Sequence, residues 1–572
     1  MVYKSLHRDD WIVMKPRTFF LTLAITVTVL LSIAGGGLYW VLSTSPLTLL
    51  KGGIMGEPTA AAFIPKQSPI MVSLLVNPNR LEAFSQLIAS PAKRRRSHQE
   101  LEELEQSLLA KTGLNYQKEV KPWLGEEITL AVTSLDYDHS TQNGIQPGYL
   151  LVVQTKDPEL SKEFLQLSYS ESAIAGNYDL VFDTYQGANI TYKRSLKPSA
   201  NSNLFASTVV GNYVLFANHP KVLREALASV QAPDLNLYNA IAYQDALKTI
   251  EEPRIGIFYA NFPELSAWLS HLAVPEKPDI TQTLTVALSL KSEGLVAKTA
   301  LIGVKDPKNP LPLLSQPVGT LDYIPSNALL TAAGTNLNQF WQQVETGLAT
   351  DSPLQQLIYR TIESVQTPWN LDLSQDIFSW VKGDYSLALM NSSNGGKPEW
   401  VFVAERSDET EVENALIHLD ELAKMKGYSV DKLTVADQSV TAWTKLKTSS
   451  NNKITRLEAE VKGAHLRMGN YEILTTSLEA MSQVLSANQN PLVASTKFQQ
   501  AISALPTENN GYFYLDWNDS QPLLEQQFPL IRVLELTVKP LFKNLRSLTI
   551  TSERNVNGIR RATAFLNLGV RE

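Results

Sequence analysis

Histidine and cysteine, the side chains that most often carry metal or nucleophilic chemistry, form no recognisable motif in this sequence. Cysteine is absent, which excludes disulfides, thiolate metal ligands and a cysteine nucleophile. No two histidines stand at a metal-ligand spacing, and HExxH, GxSxG, Walker A and GxGxxG patterns are missing. The sequence therefore predicts no metal and no cofactor. We expect surface or helix-capping roles for the seven histidines, which are His7, His98, His139, His219, His271, His418 and His465.

Acidic residues are the remaining candidates for catalysis, because two carboxyl groups can act together on a glycosidic bond. Paired acids occur at residues 102–103, 126–127 and 251–252. Glu126 and Glu127 align with Gly383 and Asp384 in the internal repeat described below, at the start of a predicted strand. We favour solvated acids at a strand edge, so an enzyme is not the first expectation. The alternative is a hydrolase that uses acidic residues.

The densest basic cluster is formed by Lys93, Arg94, Arg95 and Arg96. It could contact anionic lipid headgroups, with ~1 kcal/mol for each basic residue near a membrane surface. We favour the simpler interpretation, which is a solvated loop ahead of a capped acidic helix. The formal net charge of the whole chain is −7, which argues against nucleic-acid binding.

An uncharged apolar run at residues 18–42 predicts how the chain is placed relative to a membrane. As a helix it would extend roughly 37 Å, which exceeds the ~30 Å hydrocarbon core of a bilayer. Four basic residues precede the run, and Lys51 is the only one between it and Pro65. This asymmetry predicts a single-pass anchor with a cytoplasmic N-terminus and the rest of the chain across the membrane. A cleaved signal peptide is disfavoured because its apolar core would be shorter.

The remainder of the chain contains an internal repeat in which five motifs recur in the same order. The offset between copies stays between 251 and 260 residues, which predicts a tandem duplication of one fold. Most matched positions are glycine, asparagine, proline, aromatic or aliphatic residues, which set turns and fill cores. The matched motifs begin at Phe63 and Tyr323, Trp123 and Trp380, Tyr149 and Trp400, Gly211 and Gly469, and Gly256 and Gly511.

Hairpin and helix patterns alternate within each copy. Hairpins are predicted over residues 178–193 and 207–217, with turns near Gly187 and Gly211. The second copy is predicted to end in strands over residues 548–552 and 559–568, which turn at Asn557 and Gly558. Helices are predicted over residues 78–89, 97–111, 158–167, 220–230 and 243–250. The fold class is therefore α+β with mostly antiparallel sheet. We expect Trp123, Trp380, Tyr259 and Tyr514 to be structural core residues.

These features resemble the DUF3352 family, a bacterial family of unknown function that is frequent in cyanobacteria. The similarity rests on the N-terminal span, the aromatic-Ile-Pro motif that opens a strand, and the internal Gly-Asn-Tyr hairpin followed by a helix. It extends over most of residues 60–570. The resemblance implies a cyanobacterial envelope or thylakoid protein, and it implies no catalytic residues.

The predicted organisation divides the chain into six parts. They are a cytoplasmic tail (1–17), a transmembrane helix (18–42), a tether (43–62), two α+β repeats (63–305 and 320–572) and a linker between them (306–319).

The leading functional hypothesis is a membrane-anchored, non-enzymatic interaction or scaffold protein of the cell inner membrane or the thylakoid membrane. Its bulk would lie in the periplasm or a lumen, where it would bind an envelope or thylakoid protein. The second hypothesis is a carrier or chaperone for an apolar ligand such as a lipid or pigment, which requires an apolar pocket of several hundred Å³. The third is the acidic hydrolase.

Overall fold

A computed structural model of the chain describes residues 53–77, 116–140, 144–174, 178–195, 205–270, 282–291, 293–304, 309–347, 359, 371–392, 398–451, 454–527, 542, 544–555 and 557–568. Within these residues, no helix combines the length and the apolarity needed to cross a membrane. The predicted transmembrane helix (18–42), the first two predicted helices (78–89 and 97–111) and the basic cluster Lys93–Arg96 lie outside the described residues.

The described part of residues 53–304 forms ten strands and four α-helices. The strands are β1 Ile70–Leu74, β2 Leu124–Ser134, β3 Gly148–Thr155, β4 Tyr178–Tyr185, β5 Ala188–Ser195, β6 Ala206–Val210, β7 Tyr213–Ala217, β8 Gly256–Asn261, β9 Thr283–Lys291 and β10 Gly294–Ile302. The helices are α1 Pro158–Ile174, α2 Pro220–Gln231, α3 Ile241–Thr249 and α4 Phe262–Ser270. A 3-10 turn, Thr59–Phe63, precedes β1.

The described part of residues 309–568 forms ten strands and five α-helices. The strands are β11 Leu330–Thr335, β12 Asp384–Met390, β13 Glu399–Glu405, β14 Ser429–Val435, β15 Gln438–Asn451, β16 Ile454–Met468, β17 Tyr471–Thr475, β18 Tyr512–Asp516, β19 Ser547–Ser552 and β20 Ile559–Asn567. The helices are α5 Leu337–Gly347, α6 Glu409–Met425, α7 Leu478–Leu485, α8 Thr496–Ile502 and α9 Trp517–Gln527. A second 3-10 turn, Gly319–Tyr323, precedes β11.

The strands pair antiparallel throughout and join into one sheet. In the first half the order across the sheet is β4-β5-β6-β7-β3-β2-β1-β8-β9-β10. In the second half it is β14-β15-β16-β17-β13-β12-β11-β18-β19-β20. The second order is the first with ten added to every strand number. The predicted α+β class with mostly antiparallel sheet is confirmed.

The two halves meet where β10 pairs with β20. Nine residue pairs join the strands, from Gly294 opposite Asn567 to Ile302 opposite Ile559. A Cβ added to Gly294 would lie 1.9 Å from the Leu566 carbonyl oxygen, so glycine permits the close approach. The sheet is therefore continuous across the middle of the molecule.

Helices cover both faces of this sheet, because side chains alternate along each strand. Leu150 and Val152 of β3 pack in the cluster that contains α2 and α3, whereas Val153 packs against α1. Likewise Val403 of β13 belongs to the cluster with α7 and α8, whereas Phe402 packs with α6. The core is thus divided into layers above and below one sheet.

The predicted hairpins are present, and the backbone conformation of their turn residues explains why they form. Gln186 (φ 51°) and Gly187 (φ 81°) join β4 to β5, and Asn557 (φ 53°) and Gly558 (φ 75°) join β19 to β20. Two residues with positive φ match the twist of antiparallel strands, and glycine and asparagine accept that conformation readily. The glycine and asparagine residues in the sequence therefore predict the positions of these turns correctly.

The folded region extends to at least Gly53, within the segment predicted to be a tether. Ile54 forms an isolated antiparallel bridge with Arg254. Ala60 and Ala61 are completely buried. Their small side chains allow the first 3-10 turn to lie close to the sheet.

Candidate functional site

The carboxylate of Glu127 lies beneath the first 3-10 turn. It accepts hydrogen bonds from the backbone N–H groups of Thr59 (3.1 Å) and Ala60 (2.9 Å). It also accepts from the hydroxyls of Thr59 (2.7 Å) and Thr129 (3.2 Å). Burial raises the pKa of Glu127, and these hydrogen bonds oppose that rise. The Tyr213 hydroxyl closes the group by bonding to Thr59 Oγ1.

The second half places the same kinds of group around its own 3-10 turn. Asp384 occupies the position of Glu127 and accepts hydrogen bonds from the Gly319 backbone and the Thr335 hydroxyl. Tyr471 corresponds to Tyr213, and a Cβ on Gly319 would lie 2.7 Å from its hydroxyl. Burial, followed by the nearby charge of Glu405, raises the pKa of Asp384.

These two sites, which we call the turn carboxylates, attach each 3-10 turn to the sheet. The prediction of solvated strand-edge acids is wrong for Glu127, whose exposed fraction is 5%. The turn supplies free N–H groups, and a carboxylate satisfies them without leaving buried donors. The carboxyl groups of Asp384 and Glu405 are neighbours, as a hydrolase would require. Glu405 nevertheless accepts from the Asp384 N–H (3.1 Å) and the Asn470 side chain (3.2 Å), so it has a structural role.

A second cluster of charges lies between α6 and the sheet. Arg406 donates to Glu472 (2.7 Å), and the exposed fraction of each side chain is 1%. His465 lies between two acids, with Nδ1 3.1 Å from Glu472 Oε1 and Nε2 3.4 Å from Asp420 Oδ1. Asp420 also accepts from Trp443 Nε1 (2.7 Å). We call Arg406, Asp420, His465 and Glu472 the charge network.

Burial alone would lower the pKa of His465, but hydrogen bonds and charges from Asp420 and Glu472 raise it to about 9. The imidazole is therefore protonated at neutral pH and balances one of the two acids. The predicted surface or capping role of His465 is wrong, because only 11% of its side chain is exposed. The error arose because Asp420 and Glu472 lie far from each other in sequence and meet His465 only through strand pairing and helix packing.

In the first half, the residues at the positions that match the charge network are uncharged. Strand registers and helix positions match Thr155 to Arg406, Val214 to Glu472, Ser207 to His465 and Tyr169 to Asp420. The Ser207 hydroxyl donates to the Tyr169 hydroxyl (2.8 Å), which in turn donates to the Thr191 carbonyl (3.0 Å). One architecture is therefore held by neutral contacts in one half and by ions in the other.

His219 has the capping role that the sequence predicted. It is the N-cap of α2, and its Nδ1 accepts from the Lys221 N–H (3.2 Å). Burial, followed by the nearby Lys221 charge, lowers its pKa to about 4. Ser477 stands at the matching position and caps α7 by accepting from the Ala480 N–H (3.0 Å).

The matched aromatic residues are structural, as predicted. Trp123 and Trp380 have exposed fractions of 2%, and their indole N–H groups donate to the carbonyls of Glu119 (2.7 Å) and Asp376 (3.0 Å). Tyr259 and Tyr514 are equally buried.

Two surface cavities lie beside α1. One, of about 500 Å³, is lined mainly by charged and polar residues of α1, including Glu159, Lys162 and Gln166. The other is a groove of about 230 Å³ whose lining includes Lys118, Trp123 and Phe164. No group of three or more histidines and acids in the described part of the chain could hold a metal ion.

The comparison with protein families decides what this chain is related to. A family model described as "Protein of unknown function (DUF3352)" matches residues 23–568. The chain belongs to the DUF3352 family. Neither curated proteins nor solved structures give a match. The turn carboxylates and the charge network of this DUF3352 protein are therefore the features that bear on its function.

Proposed function

We propose that this DUF3352 protein is a single-pass, membrane-anchored interaction protein with a non-enzymatic role. Its bulk lies on the periplasmic or lumenal side of the cell inner membrane or the thylakoid membrane, where it binds an envelope or thylakoid protein. The apolar run at residues 18–42 and the basic residues before it support the anchor and its orientation.

We further propose that the soluble region arose by tandem duplication. The repeated motifs and the identical strand order of the two halves support this origin. The turn carboxylates and the buried tryptophans also support it, because residues at matching positions have the same structural role in both copies.

The continuous sheet across the β10–β20 pairing is the observation that carries the interaction proposal. It makes the two halves one broad surface instead of two separately moving domains. Glu127, one of the acids that the sequence offered for catalysis, instead holds the first 3-10 turn to this sheet. His465 likewise lies between Asp420 of α6 and Glu472 of the sheet. A large surface positioned by a membrane anchor suits a protein partner.

The test is isolation of the full-length protein from gently solubilised native membranes, followed by mass spectrometry of proteins and extracted small molecules. We expect a stoichiometric protein partner. The Gly294→Val variant, which forces a side chain against the Leu566 carbonyl, should lose it because the common surface is disrupted.

Gly187→Asn is the matched control, since the space around this turn glycine is open and asparagine tolerates positive φ. It should retain the partner. Recovery of a lipid or pigment with no protein partner would contradict the proposal and favour the carrier. Equal recovery of the partner with both variants would contradict the role of the continuous sheet.

A further inference from the structure

Among the strands that the structure describes, β4 and β14 are the outermost in the sheet. Within the described residues, β4 pairs with β5 alone and β14 pairs with β15 alone. An outermost strand presents N–H and C=O groups that can pair with another chain, and proteins commonly protect such edges with lysine. The two edges can be compared directly because they occupy matching places in the two halves.

The edges differ at their central position. Phe182 lies opposite Thr191, three residues before the last residue of β4. Lys432 lies opposite Thr441, three residues before the last residue of β14. The edge of the second half thus carries a lysine where the first half carries a phenylalanine that is 74% exposed.

The backbone of Phe182 is directed to the outer edge of the sheet. In a two-residue hairpin the closing pair, here Tyr185 and Ala188, is hydrogen-bonded, and such pairs alternate with non-hydrogen-bonded pairs along the ladder. Phe182 and Thr191 are therefore a non-hydrogen-bonded pair. The N–H and C=O of Phe182 consequently point away from β5.

The acidic residues of β4 are neutralised within the molecule. Asp179 pairs with Arg194 at 2.5 Å, and Asp183 pairs with Arg224 of α2. The Arg224 hydrogen bond, as the largest effect, lowers the pKa of Asp183. The edge around Phe182 therefore carries little unbalanced charge that would repel an identical edge.

We propose that two copies of this protein associate by antiparallel pairing of their β4 edges about a two-fold axis at Phe182. A two-fold axis perpendicular to the sheet brings residues of the same face opposite one another. Centred on Phe182, it opposes the two phenylalanines and places Leu180 opposite Thr184. Seven residues of each strand then pair.

Competing registers are less favourable. Centring on Val181 would also pair seven residues, but it would oppose two valines at the axis and place Phe182 opposite Leu180, so the cross-strand aromatic pair would be lost. Centring on Leu180 or Asp183 would pair only five residues of β4. The Phe182 register combines the longest overlap with a cross-strand aromatic pair, so the second copy fits this edge better than it fits β14.

Single-cysteine cross-linking tests the register, because the chain has no cysteine of its own. Full-length Phe182→Cys in detergent is oxidised and examined by non-reducing electrophoresis, with Lys432→Cys as the matched control. Opposed residues would have Cα atoms about 5.5 Å apart, within reach of a disulfide. We expect a covalent dimer for Phe182→Cys and monomer for Lys432→Cys.

Substitution without cysteine tests the association itself. The wild-type protein and Lys432→Gln should be dimeric by light scattering in detergent, and Phe182→Lys should shift to monomer by at least tenfold in dissociation constant. Thermal unfolding checks folding, since a change at this exposed position should preserve a cooperative unfolding transition.

A monomeric wild-type protein would overturn the proposal, as would a dimer that persists in Phe182→Lys or equal cross-linking at positions 182 and 432. These outcomes are separate from the search for a membrane partner. Loss of that partner in Gly294→Val would not change the results expected from the cross-linking and light-scattering experiments on β4.

Discussion

At the scale of single residues, two histidines are held in opposite protonation states by their surroundings. His465 lies between Asp420 and Glu472, which favour the imidazolium ion. His219 must remain neutral, because its Nδ1 accepts the Lys221 N–H and cannot do so when protonated. The two residues therefore make stability depend on pH in opposite directions.

For His465 we predict stabilisation that disappears in alkali. Its pKa in the folded protein, about 9, is above the ordinary histidine value of 6.5. The stabilisation is complete below pH 6.5 and is lost as pH rises through about 9, a change on the order of 3 kcal/mol. Urea unfolding at pH 6 and 9.5 should show this loss in the wild type and not in His465→Gln. Parallel pH profiles for the two proteins would contradict the prediction.

For His219 we predict a loss of stability in acid. Its folded pKa, about 4, is below 6.5, so the contribution is complete above pH 6.5 and declines as pH falls through 4. His219→Ser introduces the capping residue that Ser477 supplies in the second half. This variant should keep α2 capped at pH 7 and lose less stability than the wild type between pH 7 and pH 4. A steeper decline in the variant would refute the assignment.

At the scale of elements, α6 is attached to the sheet by ions where α1 is attached by neutral contacts. Removing one member of a buried ion pair costs about 3–5 kcal/mol, because the remaining charge has lost its partner. Arg406→Thr leaves the acids Glu472 and Asp420 with only the single positive charge of His465 between them. We therefore predict that this variant destabilises the protein by about that amount. Urea unfolding followed by tryptophan fluorescence measures it.

A compensating variant can be designed from the uncharged residues at the matching positions of the first half. Arg406→Thr combined with Asp420→Tyr, His465→Ser and Glu472→Val installs the neutral set found at the matching positions. We expect this quadruple variant to be more stable than Arg406→Thr alone, because no buried charge remains uncompensated. If the quadruple variant were less stable than the single one, ionic contacts would be specifically required at this helix.

The sequence predicted the elements better than the site, for physical reasons. Hairpins such as β4–β5 and β19–β20 are set by turn residues adjacent in the chain, so local chemistry predicts them. The charge network depends on Arg406, Asp420, His465 and Glu472, which only pairing and helix packing bring together. The burial of Glu127 was missed for the same reason, since its donors at Thr59 and Ala60 are far away in sequence. The alignment of Glu127 with Asp384 was the one available signal.

At the scale of the whole molecule, β10 and β20 determine whether two halves behave as one. Their hydrogen-bonded ladder is continuous with the sheets on either side. One shared core also spans the joint, with Leu74 and Leu288 from the first half and Leu515, Trp517 and Leu566 from the second. Coupling of this kind predicts that the halves unfold together.

Gly294→Val should separate the unfolding of the two halves into two thermal transitions. A side chain at this position would meet the Leu566 carbonyl oxygen, so the variant loses pairing where β10 and β20 meet while each half keeps its own hairpins and helices. We expect one cooperative calorimetric transition in the wild type and in Gly187→Asn, and two in Gly294→Val. Two transitions in the wild type would mean that the joint does not couple the halves. A single unchanged transition in Gly294→Val would mean that the shared core, and not the strand pairing, provides the coupling.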